Sequence, residues 1–396
     1  MNCFDPEFLQ RHVQRTMRFY HPRAIDPSGG FFHYFRDDGQ VYNASHRHLV
    51  SSARFVVTYA RYARYHCTSP DAAAEYLRWA RHGLAYLEQA HYQTRYQGYA
   101  WTLNDGAVED QTHHCYGLAF VLLAYAEAHL AGVEEARDGI ARTHAMLQRR
   151  FWEPQWQRFA DEADCCWQLS DYRGQNANMH ACEALISAYD ATGETHYLDQ
   201  ALSIGRSLLK ANRENLHGWI WEHYNVNWQR DLDYNRDDPQ HLFRPWGYQV
   251  GHQTEWAKLL VLLAERGGDS SLIEAAERLF VSAVSAGWDN EHGGLVYGLD
   301  LEGRVCDGDK YFWVQAESFA AAAMLAEHTG KALYWRWYRR LWDFSWQHMI
   351  DHRHGAWFRI LSADNRHYSD QKSPAGKVDY HTMGACQDVM RILNNC

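Results

Sequence analysis

His180 is followed three residues later by Glu183, and His252 is followed at the same spacing by Glu255. Residues three apart on a helix share a face, so a carboxylate there can orient an imidazole, fix its tautomer and raise its basicity. A histidine that removes and returns a proton near neutral pH needs all three. His381 adds a third imidazole, Glu317 another carboxylate and Arg54 a fixed positive charge. A single histidine on a helix is ordinarily a cap or a hydrogen-bonding residue of the core. Three histidines, two or three glutamates and an arginine at one end of a fold are harder to explain structurally, because apolar packing there would avoid desolvating charges.

The elements that would gather these residues are helices. Apolar positions recur at helical rather than alternating spacing, as in Leu49, Val50, Ala53, Val56, Val57 and Ala60. Six aromatic segments punctuate the chain, starting at Gly29, Gly98, Trp156, His217, His292 and His354. Their spacing leaves room for two helices and their loops in each interval. Polar turns at Thr68-Ser69-Pro70-Asp71, Gly132, Thr192-Gly193-Glu194, Gly267-Gly268-Asp269 and Thr329-Gly330 split each unit. Twelve helices are predicted, over 5–21, 46–66, 70–91, 111–130, 133–151, 176–192, 195–212, 247–266, 270–287, 311–328, 331–350 and 379–393.

A linear stack of six hairpins would need polar capping repeats, whereas a ring closes by joining its terminal helices. The expected fold is therefore all-α, an (α/α)6 barrel with short β-hairpin-like aromatic loops at the pocket mouth, spanning residues 1–396 as a single catalytic domain. Even-numbered helices begin with polar and aromatic residues that give way to small apolar ones, as in Gln175-Asn176-Ala177-Asn178-Met179-His180 followed by Ala181, Ala184 and Leu185. They read as the inner helices, with their first turns around one mouth. The segment from Arg213 to Trp246 has no apolar helical pattern, carries Arg230, Arg236 and Arg244, and is expected to overhang that mouth.

Composition narrows the partners. The 396 residues carry 39 Lys and Arg against 49 Asp and Glu, a net charge of −10, which opposes binding along a nucleic-acid backbone. The longest apolar run, Gly117 to Ala126, is far short of the ~20 residues that span a bilayer, and Asp5 and Glu7 interrupt the amino terminus where a signal peptide would be apolar. The protein is expected to be cytoplasmic, without nucleic-acid or membrane partners, as a monomer or homodimer. Nine cysteines, none in a Cys-x-x-Cys spacing, indicate reduced and mostly buried thiols. There is no His-Glu-x-x-His, Asp-rich calcium loop, nucleotide-cradling glycine loop or Gly-x-Ser-x-Gly, so neither a metal nor a cofactor is expected. His113-His114, His46-x-His48 and His352-x-His354 read as loop and helix-end residues rather than ligands. Trp101, Trp219, Trp221, Trp313 and Trp357 offer rings suited to stacking on sugars, although most of the 17 tryptophans belong to a core.

Over essentially its whole length the chain resembles the N-acylglucosamine 2-epimerase superfamily. The likeness lies in SARFVVTYARYAR around Arg54, NANMHACEALISAY around His180, GHQTEWAKLL around His252, YFWVQAESFAAAAM around Glu317 and DYHTMGACQ around His381. The stretch RPWGYQVGHQTEWAKLL looks most like the branch of mannose and sulfoquinovose isomerases. This resemblance implies cofactor-free aldose–ketose isomerisation, in which a histidine moves a proton from C2 to C1 of an open-chain sugar through an enediol. It makes His252 and His381 the acid/base pair. His180 and Glu255 would bind and polarise the sugar, Arg54 would stabilise charge on its C1 and C2 oxygens, and Glu183 and Glu317 would orient these groups. Trp313 and Arg244 would complete the substrate contacts.

Three other functions remain open in the sequence. A 2-epimerase would use the same enediol but reprotonate C2 on its opposite face. A barrel glycosidase or lyase would need two carboxylates facing across a bond. A binding module would use the aromatic mouth for recognition alone.

Overall fold

The computed structural model describes residues 2–241, 243–267 and 269–395. Among them are twelve α-helices: α1 Pro6–Tyr20, α2 Leu49–His66, α3 Pro70–Tyr86, α4 Cys115–Leu130, α5 Arg137–Arg150, α6 Gln175–Thr192, α7 Thr195–Ala211, α8 Val250–Gly267, α9 Ser271–Gly287, α10 Phe312–Thr329, α11 Ala332–Phe344 and α12 Tyr380–Asn395. The chain divides into two compact units. One comprises Arg18–Ser207 and Gln371–Tyr380, the other Met1–Met17, Leu208–Asp370 and His381–Cys396.

Most helix ends fall close to the expected positions, and the departures have local causes. The starts expected at 46 and 111 move to Leu49 and Cys115 because His46–His48 and His113–His114 are extended and pair with Thr102–Asn104 and Glu162–Ala163. The ends expected at 91 and 350 correspond to π-helical turns, Leu87–His91 and Ser345–Met349, which continue α3 and α11. Glu134–Ala136 forms a 3-10 turn before α5. Gly193 and Gly330 stop α6 and α10 in the left-handed conformation, at φ 73° and 65°, where a side chain would be strained. Of the predicted turns, Gly268 lies outside the described residues.

In the first unit α2, α4 and α6 pack side by side, with α3 on α2 and α5 on α4; in the second, α8 and α10 pack together, with α9 and α11 as their partners. The two kinds of helix differ as the even and odd patterns suggested. α4 is buried around its whole circumference from Gly117 to Ala128. α5 buries only Gly139, Ile140, Thr143 and Leu147 and leaves its charged side to solvent. The partners meet closely at small residues. A Cβ on Gly139 would lie 2.2 Å from the Tyr125 ring, and one on Gly287 would lie 2.7 Å from Val250.

Four of the even helices share one way of starting. His46–His48, His113–His114, Tyr248–Gln249 and Lys310–Tyr311 each form a short antiparallel pair and run directly into α2, α4, α8 and α10. The residues just before α2, α4 and α10 keep extended dihedrals. The strand therefore fixes where the first helical turn begins and which way its side chains leave. Between Arg213 and Trp246 the described residues form no helix, as expected.

Several aromatic and sulfur expectations change. Trp219, Trp221 and Trp357 are fully buried, and their indole N–H groups donate to Ser282, the Asp231 carbonyl and His12. Packed rings cannot offer a face to a sugar, so these three are core. Trp101 and Trp313 remain partly exposed. The cysteines described are free, but only Cys3, Cys115, Cys182 and Cys386 are buried; Cys67, Cys165, Cys166 and Cys306 lie in turns, at strand edges or at a helix end, where they keep some exposure.

A buried histidine cluster supports the start of α2. The His48 amide donates to His33 Nδ1 at 3.1 Å, and Ser52 Oγ lies 3.4 Å from His33 Nε2 and 3.0 Å from His91 Nε2. Burial, with the nearby Arg47 guanidinium, holds His33 well below the ordinary histidine range, and burial holds His91 at about 4. These rings stay neutral in the folded chain, whereas in the unfolded chain each takes up a proton near pH ~6.5. Their contribution is thus fully present above that pH and is lost as pH falls toward about 4. We expect the unfolding free energy from denaturant titrations to fall as pH drops from ~6.5 to 5, by up to ~1.4 kcal/mol per pH unit for each such histidine. A flat response over that window would refute the assignment.

Candidate active site

In the second unit, α8 carries His252, Glu255 and Lys258 within its first turns, all buried. Thr254 and Ser318 hydroxyls, 2.7 Å apart, tie α8 to α10. Gly251 lets the Trp313 ring lie against the α8 backbone, since a Cβ there would be 2.5 Å from it. Trp313 then neighbours two imidazoles, 5.1 Å from the His252 ring and 5.9 Å from the His381 ring, tilted at 34° and 37°.

Each of these imidazoles meets a carboxylate through Nδ1. His381 Nδ1 is 2.7 Å from Glu317 Oε1, and His252 Nδ1 is 2.9 Å from Glu222 Oε2. A proton on Nδ1 shared with the carboxylate leaves Nε2 as the basic nitrogen in both rings. The helical spacing suggested Glu255 as the group orienting His252; Glu222 takes that Nδ1 instead. Glu222 comes from the aromatic segment HGWIWEHYN, far from His252 in sequence. The local signal was a carboxylate set among buried aromatic residues, which by itself does not name a partner.

Glu317 also forms a salt bridge with Lys258. Glu255, Glu317 and His381 bring oxygen and nitrogen atoms within 4.8 Å of one another, a grouping that could attract a cation. The Lys258 ammonium already neutralises part of that charge, so these residues fit an acid–base cluster better than a metal centre. Arg244 is half-buried and donates to the Tyr234 hydroxyl at 3.1 Å within the loop. Arg236 is exposed and pairs with Asp233.

In the first unit, Arg173–Gly174 leads into α6, which carries His180 and Glu183 on one face. His180 Nδ1 is 3.2 Å from Glu183 Oε2, the pairing that the spacing predicts. The other oxygen of Glu183 accepts from the Tyr380 hydroxyl. The Arg54 guanidinium lies over two rings, 4.3 Å from Phe120 and 5.2 Å from Tyr380. It donates to the Gly376 carbonyl at 2.5 Å and to the Tyr116 hydroxyl at 3.0 Å. Tyr116 in turn meets His180 edge-on, with ring centres 5.1 Å apart. Tyr116 and Tyr380 were not among the residues picked from sequence, since a tyrosine in so aromatic a chain carries little signal alone.

Further buried polar groups hold this cluster. Arg61 pairs with Glu127 at 2.8 Å, and Ser187 donates to the same carboxylate, linking α2, α4 and α6. The Glu127 charge keeps the Arg61 guanidinium firmly protonated despite its burial. Before α12, Asp379 accepts from Tyr20 at 2.6 Å and pairs with Lys377, whose proton affinity burial pulls down. The doubled histidines have local work. His48 caps α2, His46 meets Tyr34 and Glu109, His113 stacks on Trp167, His114 pairs with Glu162, and His352 meets the Trp346 carbonyl.

Comparison with known proteins adds identity to this geometry. The sequence profile of N-acylglucosamine 2-epimerase (GlcNAc 2-epimerase) matches residues 30–385. The D-mannose isomerase of Marinomonas mediterranea is 51% identical over 99% of this chain and 98% of its own. A cellobiose 2-epimerase of Bacteroides fragilis is 25% identical over 97% of this chain and 99% of its own. Among solved structures, a crystal structure of D-mannose isomerase superposes with a TM-score of 0.95 at 50% identity, covering 98% of each chain. The fold class is therefore all-α, of the (α/α)6-barrel kind. No helix among the described residues is long and apolar enough to cross a membrane. With its profile match spanning most of the sequence, the chain belongs to the N-acylglucosamine 2-epimerase family of carbohydrate isomerases and epimerases.

Proposed function

We propose that this protein is a cofactor-independent aldose–ketose isomerase of the mannose-to-fructose type, acting in the cytoplasm with residues 1–396 as one catalytic domain. The observation that carries the reading is the pair of imidazoles, His252 and His381, both neighbouring Trp313 and each with Nδ1 on a carboxylate. The near full-length likeness to a D-mannose isomerase supports the choice of sugar.

The chemistry follows from what the side chains can do. A neutral imidazole with Nε2 as its basic nitrogen accepts the C2 proton of the open-chain aldose while the C1 carbonyl gains charge. The resulting enediolate is stabilised by positive charge and hydrogen-bond donors, the role proposed for Arg54. Returning the proton to C1, with the hydroxyl protons moved by the second imidazole, yields the ketose. His252 and His381 form the acid/base pair. His180 and Glu255 bind and polarise the sugar, Glu183 and Glu317 orient the groups around them, and Trp313 and Arg244 contribute substrate contacts. Glu222 joins this set as the group that orients His252.

A 2-epimerase shares every step up to the enediol, and the full-length likeness to a cellobiose 2-epimerase keeps it as the second reading. The two part at reprotonation. Incubating D-mannose with the protein in deuterated water, with chelator present, is expected to give fructose carrying deuterium at C1. Glucose labelled at C2 as the sole product would make the protein an epimerase, and activity abolished by the chelator would overturn the metal-free mechanism. His381→Ala is expected to lower kcat by ~10²–10⁴-fold while changing sugar affinity little. Equal loss of both would favour a binding role. Glu222→Gln keeps the shape but removes the charge facing His252, and kcat is expected to drop by at least ~10-fold with KM much less affected, as steady-state assays would show.

A further inference from the structure

Two buried carboxylates lie close to His381. Glu317 on α10 bonds its Nδ1, and Glu255 on α8 brings an oxygen within the same 4.8 Å grouping. His252 and His381 both neighbour the Trp313 ring. Carboxylates at such distances stabilise an imidazolium. Left to themselves they would favour the protonated form of His381, and a protonated imidazole cannot accept a proton from C2. Lys258, one turn along α8 from Glu255 and almost fully buried, is the cation of this cluster and pairs with Glu317. A buried ammonium is costly to desolvate, and an apolar residue there would serve packing equally well.

We infer that Lys258 is a positioning residue for the proton chemistry: its ammonium keeps Glu317 ionised and lowers the proton affinity of His381, so that this imidazole is neutral and able to act as a base near pH 7. The residue touches no reacting atom in this role; it acts through Glu317. The inference rests on the reading of His381 as an acid/base group. It goes beyond that reading by giving a function to a lysine that the sequence alone leaves as one polar residue in GHQTEWAKLL. Because His381 and Glu317 share a proton, their titration belongs to the pair, and removing the ammonium moves it upward whichever partner holds the proton.

The test compares Lys258→Met, Lys258→Gln and Lys258→Arg with the parent protein. For kcat/KM with D-mannose between pH 5.5 and 9.5, the acidic limb is expected to move up by about one pH unit in the Met and Gln variants. Their activity at pH 7 falls and returns above pH 8.5, and Lys258→Arg restores the parent profile. In parallel, ring-nitrogen NMR of histidine-labelled protein, with the His381 signal assigned by its loss in His381→Ala, follows the same titration without turnover. A loss of activity by one factor at every pH, or a His381 titration unmoved in the neutral variants, would show that Lys258 is merely structural and overturn the inference. If the parent shows no conversion of mannose, the proposed activity fails, while the NMR titration still decides the part played by Lys258. Lys258→Gln keeps a donor toward Glu317 and so serves if Lys258→Met does not fold.

Discussion

The pairing of a buried imidazole with a buried carboxylate is the interaction on which this protein's proposed chemistry depends. His180, His252 and His381 each direct Nδ1 to a glutamate, Glu183, Glu222 and Glu317. Burying such groups is unfavourable unless their hydrogen-bonding capacity is used. The carboxylates are accordingly engaged a second time: Glu183 by the Tyr380 hydroxyl, Glu317 by Lys258, and Glu222 by the Gln249 amide at 3.4 Å. These second contacts restrict the carboxylates, and the carboxylates restrict the rings.

Holding these groups in place requires that the first turns of the inner helices begin at defined positions. The short strand pairs that run into α2, α4, α8 and α10 meet that need, because a register fixed by backbone hydrogen bonds leaves little freedom to the turn that follows. Close packing behind them does the rest. α5 and α9 present glycines to Tyr125 and Val250, and Gly251 seats the Trp313 ring against α8. The proposed catalytic groups thus lie on stiff elements, while the long segment between α7 and α8 supplies Glu222 and varied surface groups.

The family hosts both isomerases and epimerases, and the reason lies in their common intermediate. Once C2 has lost its proton, the outcome is set by which carbon, and which of its faces, is presented to an acid. The groups that make the enediol and the groups that select the product are therefore separable. In the proposed reading His252 and His381 serve the first task. Trp313, which neighbours both imidazoles, is proposed to bear on the second.

The number of helices, their approximate ends and the alternation of inner and outer faces were legible in the sequence, because helical periodicity and turn chemistry are local. The pairing of His180 with Glu183 was legible for the same reason, since it spans one turn of one helix. The partner of His252 was not. Its nearest carboxylate in sequence is Glu255, yet the bond goes to Glu222, thirty residues away, and only chain folding can choose between a neighbour along a helix and one brought in by a loop. Equally, the sequence could not separate Trp313, which neighbours two imidazoles, from Trp219, Trp221 and Trp357, which are core. The character of an aromatic ring is the same in both settings, and tertiary packing alone decides whether its face is covered.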